Sequence, residues 1–167
     1  MSFPSAAIRA VDSVSKHAAY ASSAAAVMLT AGFLVVLLLQ IFFRYALNAP
    51  LSWSEEMAML QFIWAALLLG SVGVRERFHI RLSFLVDSLS GRWRDRLESV
   101  IEILSALFGA FMVYGGLRLV DLTWDNTSAA VGYPSQYLYL SVPCSGLLII
   151  LHSCAGLLKR MTGGGES

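Results

Sequence analysis

Charged residues are scarce in this 167-residue chain. Asp, Glu, Lys and Arg together make up 14% of the sequence, whereas soluble domains contain about 25%. The charges are also clustered, so that the four longest uncharged stretches run over 17–43, 57–74, 103–117 and 126–158. A helix of about 20 apolar residues matches the bilayer core of about 30 Å. The composition therefore excludes a soluble enzyme, a nucleic-acid binder and a disordered chain.

Cysteine is almost absent, and the residue clusters of common catalytic sites are missing. Cys144 and Cys154 lie on one predicted helix and are about 15 Å apart, too far for a disulfide bond. His152 is the only histidine inside a predicted span, with no second histidine at a similar depth to complete a haem site. The sequence has no glycine-rich phosphate loop, metal-ligand cluster or nucleophile–base pair. We therefore expect no enzyme and no cofactor, with a membrane redox or lipid-modifying enzyme as a rival hypothesis.

The apolar stretches predict an all-α membrane protein with four transmembrane helices, at about 21–43, 53–74, 99–120 and 137–158. A secretory signal is the competing interpretation of the first stretch, but such signals have an apolar region of only about 7–15 residues. Ser52 and Glu55 have the spacing of a capping box, which predicts that the second span starts there.

Basic residues predict the orientation of these spans. Ten of the twelve lie before span one, between spans two and three, or after span four: Arg9, Lys16, Arg75, Arg77, Arg81, Arg92, Arg94, Arg96, Lys159 and Arg160. By the positive-inside rule both termini should be cytoplasmic, with 1–20 as a leader and 159–167 as a flexible tail. Apolar residues recur with helical spacing between spans two and three and predict a short amphipathic helix over 78–90. It would lie either on lipid headgroups or on a protein partner.

No Asp, Glu, Lys or Arg lies at the middle of any predicted span. Transporters normally keep such residues there, because a charge at the bilayer centre costs about 2.5–3.5 kcal/mol and persists only for a function. Glu102 lies near the end of span three, where it can reach water or pair with a cytoplasmic arginine. Ala66 and Gly70 on span two, and Ser105 and Gly109 on span three, have the small side chains that permit close helix packing, internally or against a neighbour. This profile favours an accessory subunit. A small self-assembling multidrug carrier is the alternative, although span one lacks the membrane-embedded carboxylate it would need.

A longer motif lies in 43–82, FRYALNAPLSWSEEMAMLQFIWAALLLGSVGVRERFHIRL. Over about 33–158 the chain resembles the DctQ family, which comprises the small membrane subunits of tripartite ATP-independent periplasmic (TRAP) transporters. The resemblance is strongest in this motif and weaker just before and into span four. The residues that match the family pattern are Arg44, Asn48, Trp53, Glu55, Glu56, Trp64, Gly70, Arg75 and His79, then Pro134, Tyr139 and Pro143. One departure is that Arg81, Leu82 and Ser83 stand where the family often has a small residue, an aliphatic residue and an aspartate.

The resemblance implies a non-catalytic subunit of the bacterial inner membrane. In this family the small subunit binds a large permease subunit, which holds the sodium and substrate sites and moves like an elevator. A periplasmic binding protein delivers an organic acid, such as a C4-dicarboxylate or a sialic acid. The small subunit would scaffold the large one. Its expected partners are the large permease subunit, the periplasmic binding protein and membrane lipids, and no nucleic acid is expected. The matched residues other than Pro134 become candidates for motif or partner-interface positions. Trp53, Glu55 and Glu56 should position the second span, by capping and interface anchoring or by a direct partner contact.

Overall fold

A computed structural model of the chain describes residues 5–76 and 91–161, with side chains over 8–76 and 96–160. The described residues form the helices α1 (Ser5–Ala46), α2 (Ser54–Arg75), α3 (Gly91–Leu122), α4 (Gln136–Tyr139) and α5 (Ser141–Met161). Four segments of this part are long and apolar enough to cross a bilayer: Ile8–Ala46, Ser54–Arg75, Arg96–Leu122 and Gln136–Arg160. The predicted all-α membrane fold with four spans is confirmed. The amphipathic helix predicted over 78–90, including His79, lies outside the described residues.

The fifth helix organises the bundle. α5 packs against α1, α2 and α3, while α1 packs chiefly along α2. α1 and α2 run antiparallel, since Gln40 bonds Glu55 near one end of the pair and Arg75 bonds Ser15 near the other. The loops 47–53 and 123–135 share the first end, called here the loop end. The opposite end of the bundle, called the basic end, is formed by the start of α1, the end of α2, the start of α3 and the end of α5.

The first helix is longer than the predicted span. It has 42 residues and begins at Ser5, well before the expected start at residue 21. At about 1.5 Å per residue, such a helix measures about 63 Å, roughly twice the bilayer core. Its polar first part stays helical because alanines favour a helix there and because Asp12 and Ser15 find partners on α2.

Glycines allow α3 and α5 to approach closely. A Cβ added at Gly146 would lie 2.7 Å from the Gly109 carbonyl oxygen, and one at Gly116 would lie 2.5 Å from the Pro143 Cδ. No larger residue fits at such distances without moving a backbone. The small residues of span three therefore pack inside this chain at Gly109, whereas a Cβ added at Gly70 of α2 would meet nothing within 4 Å.

The capping box predicted for the start of α2 is wrong. The N-cap residue is Trp53, with φ −79° and ψ −20°, and no side chain caps the helix. With Trp53 as the N-cap, the third helical residue is Glu56, so the two positions of a capping box would be Trp53 and Glu56. No capping box forms, because an indole has no oxygen to accept a bond from the free backbone N–H groups. Ser54 instead turns back, and its hydroxyl donates to the Leu51 carbonyl oxygen at 2.8 Å.

Candidate functional site

The predicted motif residues separate into two groups along the bundle. Seven lie at or near the loop end: Arg44, Asn48, Trp53, Glu55, Glu56, Tyr139 and Pro143. Trp64 lies in the middle of α2 and bonds to α4. Gly70 and Arg75 lie in the half of α2 that leads to the basic end, and His79 falls outside the described residues. The structure thus brings the motif together as two polar clusters, one at each end, rather than as a single site.

Asn48 shapes the loop between α1 and α2. Its φ of +50° places it in the left-handed region, where asparagine is tolerated better than other residues with side chains. The Ala49 N–H then donates to the Phe43 carbonyl oxygen at 3.0 Å, which satisfies one of the free carbonyls at the end of α1. Asn48 therefore has a conformational role in ending the first span.

Arg44 and Glu55 face each other across this loop without a tight contact. Arg44 Nη2 and Glu55 Oε1 are 4.0 Å apart, and both side chains are more than half exposed. Gln40 Nε2 also donates to Glu55 Oε1, at 3.2 Å. Exposed ion pairs of this kind contribute about 0–1 kcal/mol, so these two residues remain accessible to solvent, lipid headgroups or a partner.

Glu56 is bound by the loop that precedes α4. Its carboxylate accepts backbone N–H bonds from Ala129, Ala130 and Val131, each at 3.0 Å, and a further bond from the Ser128 hydroxyl. Consecutive backbone N–H groups that converge in this way form a concave anion-binding nest. Here the anion is supplied by the chain itself, and the bonds fix the start of α2 to the α3–α4 loop.

The loop is shaped to present those N–H groups. Thr127 and Pro134 form an antiparallel bridge, flanked by bonds from the Ser128 N–H to the Tyr133 carbonyl oxygen (2.8 Å) and from the Ser135 N–H to the Asn126 carbonyl oxygen (2.9 Å). Gly132, at φ +78°, takes the left-handed conformation that closes the turn. Burial, followed by the nearby carboxylate of the nest and the Tyr139 phenol, raises the pKa of Tyr133 above its ordinary value of 10.

Trp64 and Pro143 attach the short helix α4 and the start of α5. The Trp64 Nε1–H donates to the Tyr137 carbonyl oxygen at 2.7 Å, which joins the middle of α2 to α4. Gln136 Nε2 donates to the Trp124 carbonyl oxygen, also at 2.7 Å. Pro143 lies in the first turn of α5, where a proline costs no helical hydrogen bond. The loop end is thus a continuous set of contacts among α2, α4 and the loop.

A buried polar network joins three helices at the basic end. Arg75 donates to the hydroxyl of Ser15 and, at 3.2 Å, to Asp12 Oδ1. The same hydroxyl lies 2.8 Å from His152 Nδ1. Ser15 and His152 are almost completely buried, so a motif arginine connects α2 to both α1 and α5. The sequence singled out Arg75 and also His152, as the only histidine inside a predicted span, but it gave no indication of Ser15 or of the bond that joins Ser15 to His152.

A second ionic cluster lies nearby, between α3 and α5. Arg160 contacts the Glu98 carboxylate, and its Nε lies 3.2 Å from Glu102 Oε1. Both glutamates are less than 10% exposed. Gly156 makes room for them, because a Cβ there would lie 2.6 Å from Glu102 Oε1. Of the two alternatives that the sequence left open for Glu102, contact with water or an arginine partner, the structure shows the pairing with Arg160.

These clusters hold helices together rather than perform a reaction. Their charged groups are engaged with other groups of the same chain, at the two ends of the spans. Among residues 8–76 and 96–160, no three His, Cys, Asp or Glu side chains are grouped so as to hold a metal ion. The geometry fits a rigid bundle whose apolar faces stay available to lipid and to a membrane partner.

The nest predicts different effects for two neighbouring glutamates. Glu56→Gln removes the charge and one acceptor oxygen, so we expect a lower melting temperature, by several degrees, and faster hydrogen exchange at the amides of 129–131. The matched control is Glu55→Gln, since Glu55 has only weak, exposed contacts; we expect it to change neither quantity. Hydrogen exchange with peptide-level mass spectrometry measures both variants. Equal protection of 129–131 in the two would contradict the structural role of Glu56.

Known proteins resemble the chain over most of its length. The family described as "Tripartite ATP-independent periplasmic transporters, DctQ component" matches residues 33–163. The sialic acid TRAP transporter small permease protein SiaQ of Vibrio cholerae is 29% identical over 141 residues, which cover 82% of this chain and 81% of SiaQ. The isethionate TRAP transporter permease protein DctMQ of Oleidesulfovibrio alaskensis is 30% identical over 112 residues, 64% of this chain and 18% of that protein. The sialic acid TRAP transporter permease protein SiaT of Haemophilus influenzae is 25% identical over 115 residues, 69% of this chain and 19% of SiaT. The chain therefore spans about a fifth of the two permeases and about four fifths of SiaQ.

Proposed function

Since this chain belongs to the DctQ family, and is therefore the small permease subunit of a TRAP transporter in the bacterial inner membrane, we propose that it scaffolds a large permease subunit during sodium-coupled uptake of an organic acid. A periplasmic binding protein delivers that acid to the assembled transporter. The chain is a transporter subunit and not an enzyme. In this proposal the basic end faces the cytoplasm, as the positive-inside rule requires.

One observation carries the scaffold proposal: the central part of each span holds no charge with which to handle cargo, since 17–43, 57–74, 103–117 and 126–158 are uncharged. Between Lys16 and Arg44 in α1, and between Glu56 and Arg75 in α2, no residue is charged. Carriers usually place ionisable groups at that depth, where they face the interior of the bundle or a water-filled path. The charged groups at the two ends of this bundle instead hold its own helices.

The lengths of the relatives favour a large partner. DctMQ and SiaT match this chain over about a fifth of their length and are themselves named permeases. Most of each permease therefore lies outside the matched part. We infer that the large remainder of such proteins corresponds to the subunit that this chain supports, and that this chain is organised as a separate small permease, as SiaQ is.

Reconstitution tests the proposal with three preparations: this chain with its large permease, the permease alone, and this chain alone. We expect sodium-driven uptake of the acid, supplied on its binding protein, only from the first preparation, and none from this chain alone. External trypsin controls for orientation, because in right-side-out vesicles the Lys159–Arg160 bond should resist cleavage. Sodium-coupled flux through vesicles that contain only this chain would overturn the scaffold proposal, and so would full activity of the permease alone.

A further inference from the structure

Two polar atoms are buried at the basic end without a hydrogen-bond partner among the described residues. They are Nε2 of His152 and Oγ of Ser153, on adjacent residues of α5. His152 is 3% exposed and Ser153 is 1% exposed, so neither atom reaches solvent. In folded proteins the great majority of buried polar atoms bond to another protein group or to an internal water molecule. These two atoms therefore indicate a bound group.

The hydrogen bonds around His152 have a direction that places its ring proton. A guanidinium only donates, so the Ser15 hydroxyl accepts from Arg75. The same hydroxyl lies 2.8 Å from His152 Nδ1, where it can donate its own proton. A ring nitrogen that accepts a bond carries no proton, and the ring proton is then on the other nitrogen, Nε2. The buried atom without a partner is therefore an N–H donor.

Helix α3 supplies an acceptor to the same part of the bundle. Gly156 lies one turn after His152 on α5, and a Cβ there would lie 2.6 Å from Glu102 Oε1 and 2.8 Å from Glu102 Oε2. The position of this carboxylate is therefore only about 6 Å further along α5 than His152. Each carboxylate oxygen can accept more than one hydrogen bond. An N–H, a hydroxyl and a carboxylate thus lie at neighbouring positions around α5.

The chemistry of these groups selects the kind of molecule that can bind them. An N–H donor disfavours a metal ion or an ammonium group, because it offers a proton and no lone pair. A carboxylate disfavours an anion. A water molecule can accept a bond from the N–H and donate to both the carboxylate and the hydroxyl, and internal waters typically make about three hydrogen bonds. The three groups together therefore match water.

We propose that one water molecule is bound inside the basic end, where it accepts from the His152 Nε2–H and donates to the Ser153 hydroxyl and the Glu102 carboxylate. This water connects the network of Arg75 to the ionic cluster of Arg160. As a result α1, α2, α3 and α5 share one continuous set of hydrogen bonds at this end. The inference does not depend on the proposed scaffold function.

NMR spectroscopy of the full chain in detergent, labelled with ¹⁵N at histidine and tryptophan, tests the proposal. His152→Gln identifies the signals of His152. We expect a proton on Nε2, none on Nδ1, and a cross peak between the Nε2 proton and water. Ser153→Ala should keep that cross peak, which excludes a hydroxyl that merely exchanges its proton with water. The Trp64 Nε1–H is the internal control, because it donates to the Tyr137 carbonyl oxygen at 2.7 Å and should show no cross peak to water.

A second measurement tests the bond to α3. Glu102→Gln keeps the size of the side chain but makes it a weaker acceptor, so the Nε2–H signal of His152 should shift. The matched control is Glu55→Gln at the loop end, which should leave that signal unchanged.

Three results would overturn the proposal. The first is a proton on Nδ1, because the bonds would then run in the opposite direction. The second is an Nε2–H that contacts other protein protons but not water, because a segment of the chain would then occupy the site. The third is an Nε2–H signal that Glu102→Gln does not move. The wild-type spectra alone decide the first two results, so the test does not depend on the folding of any variant.

Discussion

Arg160→Ala should destabilise the bundle more than any other single charge removal among the described residues. Arg160 contacts both Glu98 and Glu102, and its side chain is only 14% exposed. Removing one partner of a buried ionic cluster leaves the others uncompensated, which typically costs about 3–5 kcal/mol. For a chain of this size we expect the melting temperature to fall by about 6–20 °C, together with the yield of folded protein in detergent.

The neighbouring basic residue supplies the control. Lys159 Nζ lies 3.9 Å from Asp12 Oδ2, and the Lys159 side chain is 52% exposed. An exposed pair of this type contributes about 0–1 kcal/mol, so Lys159→Ala should change the melting temperature by no more than a few degrees. Combining Arg160→Ala with Glu98→Gln and Glu102→Gln should restore most of the lost stability, because the uncompensated charges are then gone. If the triple variant stays as unstable as Arg160→Ala, the cluster does not act through its charge.

The positions of the spans were predictable because hydropathy is a local property. The second span was expected over 53–74 and forms Ser54–Arg75. Its limits follow from Glu56 and Arg75, the charges that bound an uncharged stretch of the length a bilayer requires. The early start of α1 was less predictable. Asp12 has the sequence surroundings of a solvated residue, but in the structure it pairs with Arg75 across the helix interface.

The partners of the polar residues were not predictable from any local pattern. Glu56 was expected to serve the start of its own helix, yet its carboxylate binds groups 72–75 positions further along the chain. Ser15 and His152 are 137 positions apart and meet only because α1 and α5 pack together. Such contacts depend on which helix faces pack together. The 3.6-residue periodicity of apolar residues predicts a helix and its apolar face, but it does not specify which other helix packs against that face. The motif therefore indicated which residues matter at the two ends, whereas their bonds came from tertiary structure.

Two adjacent glycines on α3 should respond in opposite ways to the same substitution. A Cβ at Gly116 would lie 2.5 Å from the Pro143 Cδ and 2.8 Å from its backbone nitrogen, whereas a Cβ at Gly115 would meet nothing within 4 Å. A proline ring cannot rotate away, so Gly116→Ala must push α3 and α5 apart. Overpacking of this kind costs about 1–3 kcal/mol. Gly115→Ala should instead be neutral or stabilising by up to about 1 kcal/mol, because alanine favours a helix over glycine.

The effect of Gly116→Ala should extend beyond the contact itself. Pro143 lies in the first turn of α5, directly after α4, and α4 is tied to α2 by the bond from Trp64 to the Tyr137 carbonyl oxygen. Separating α3 from α5 therefore loosens the loop end as well as the helix crossing. Thermal unfolding in detergent should show Gly116→Ala melting below the wild type and Gly115→Ala at or above it, with hydrogen exchange faster at 136–140 only in the former. Equal melting temperatures for the two variants would mean that the close crossing of α3 and α5 at Pro143 does not exist in the membrane-embedded protein.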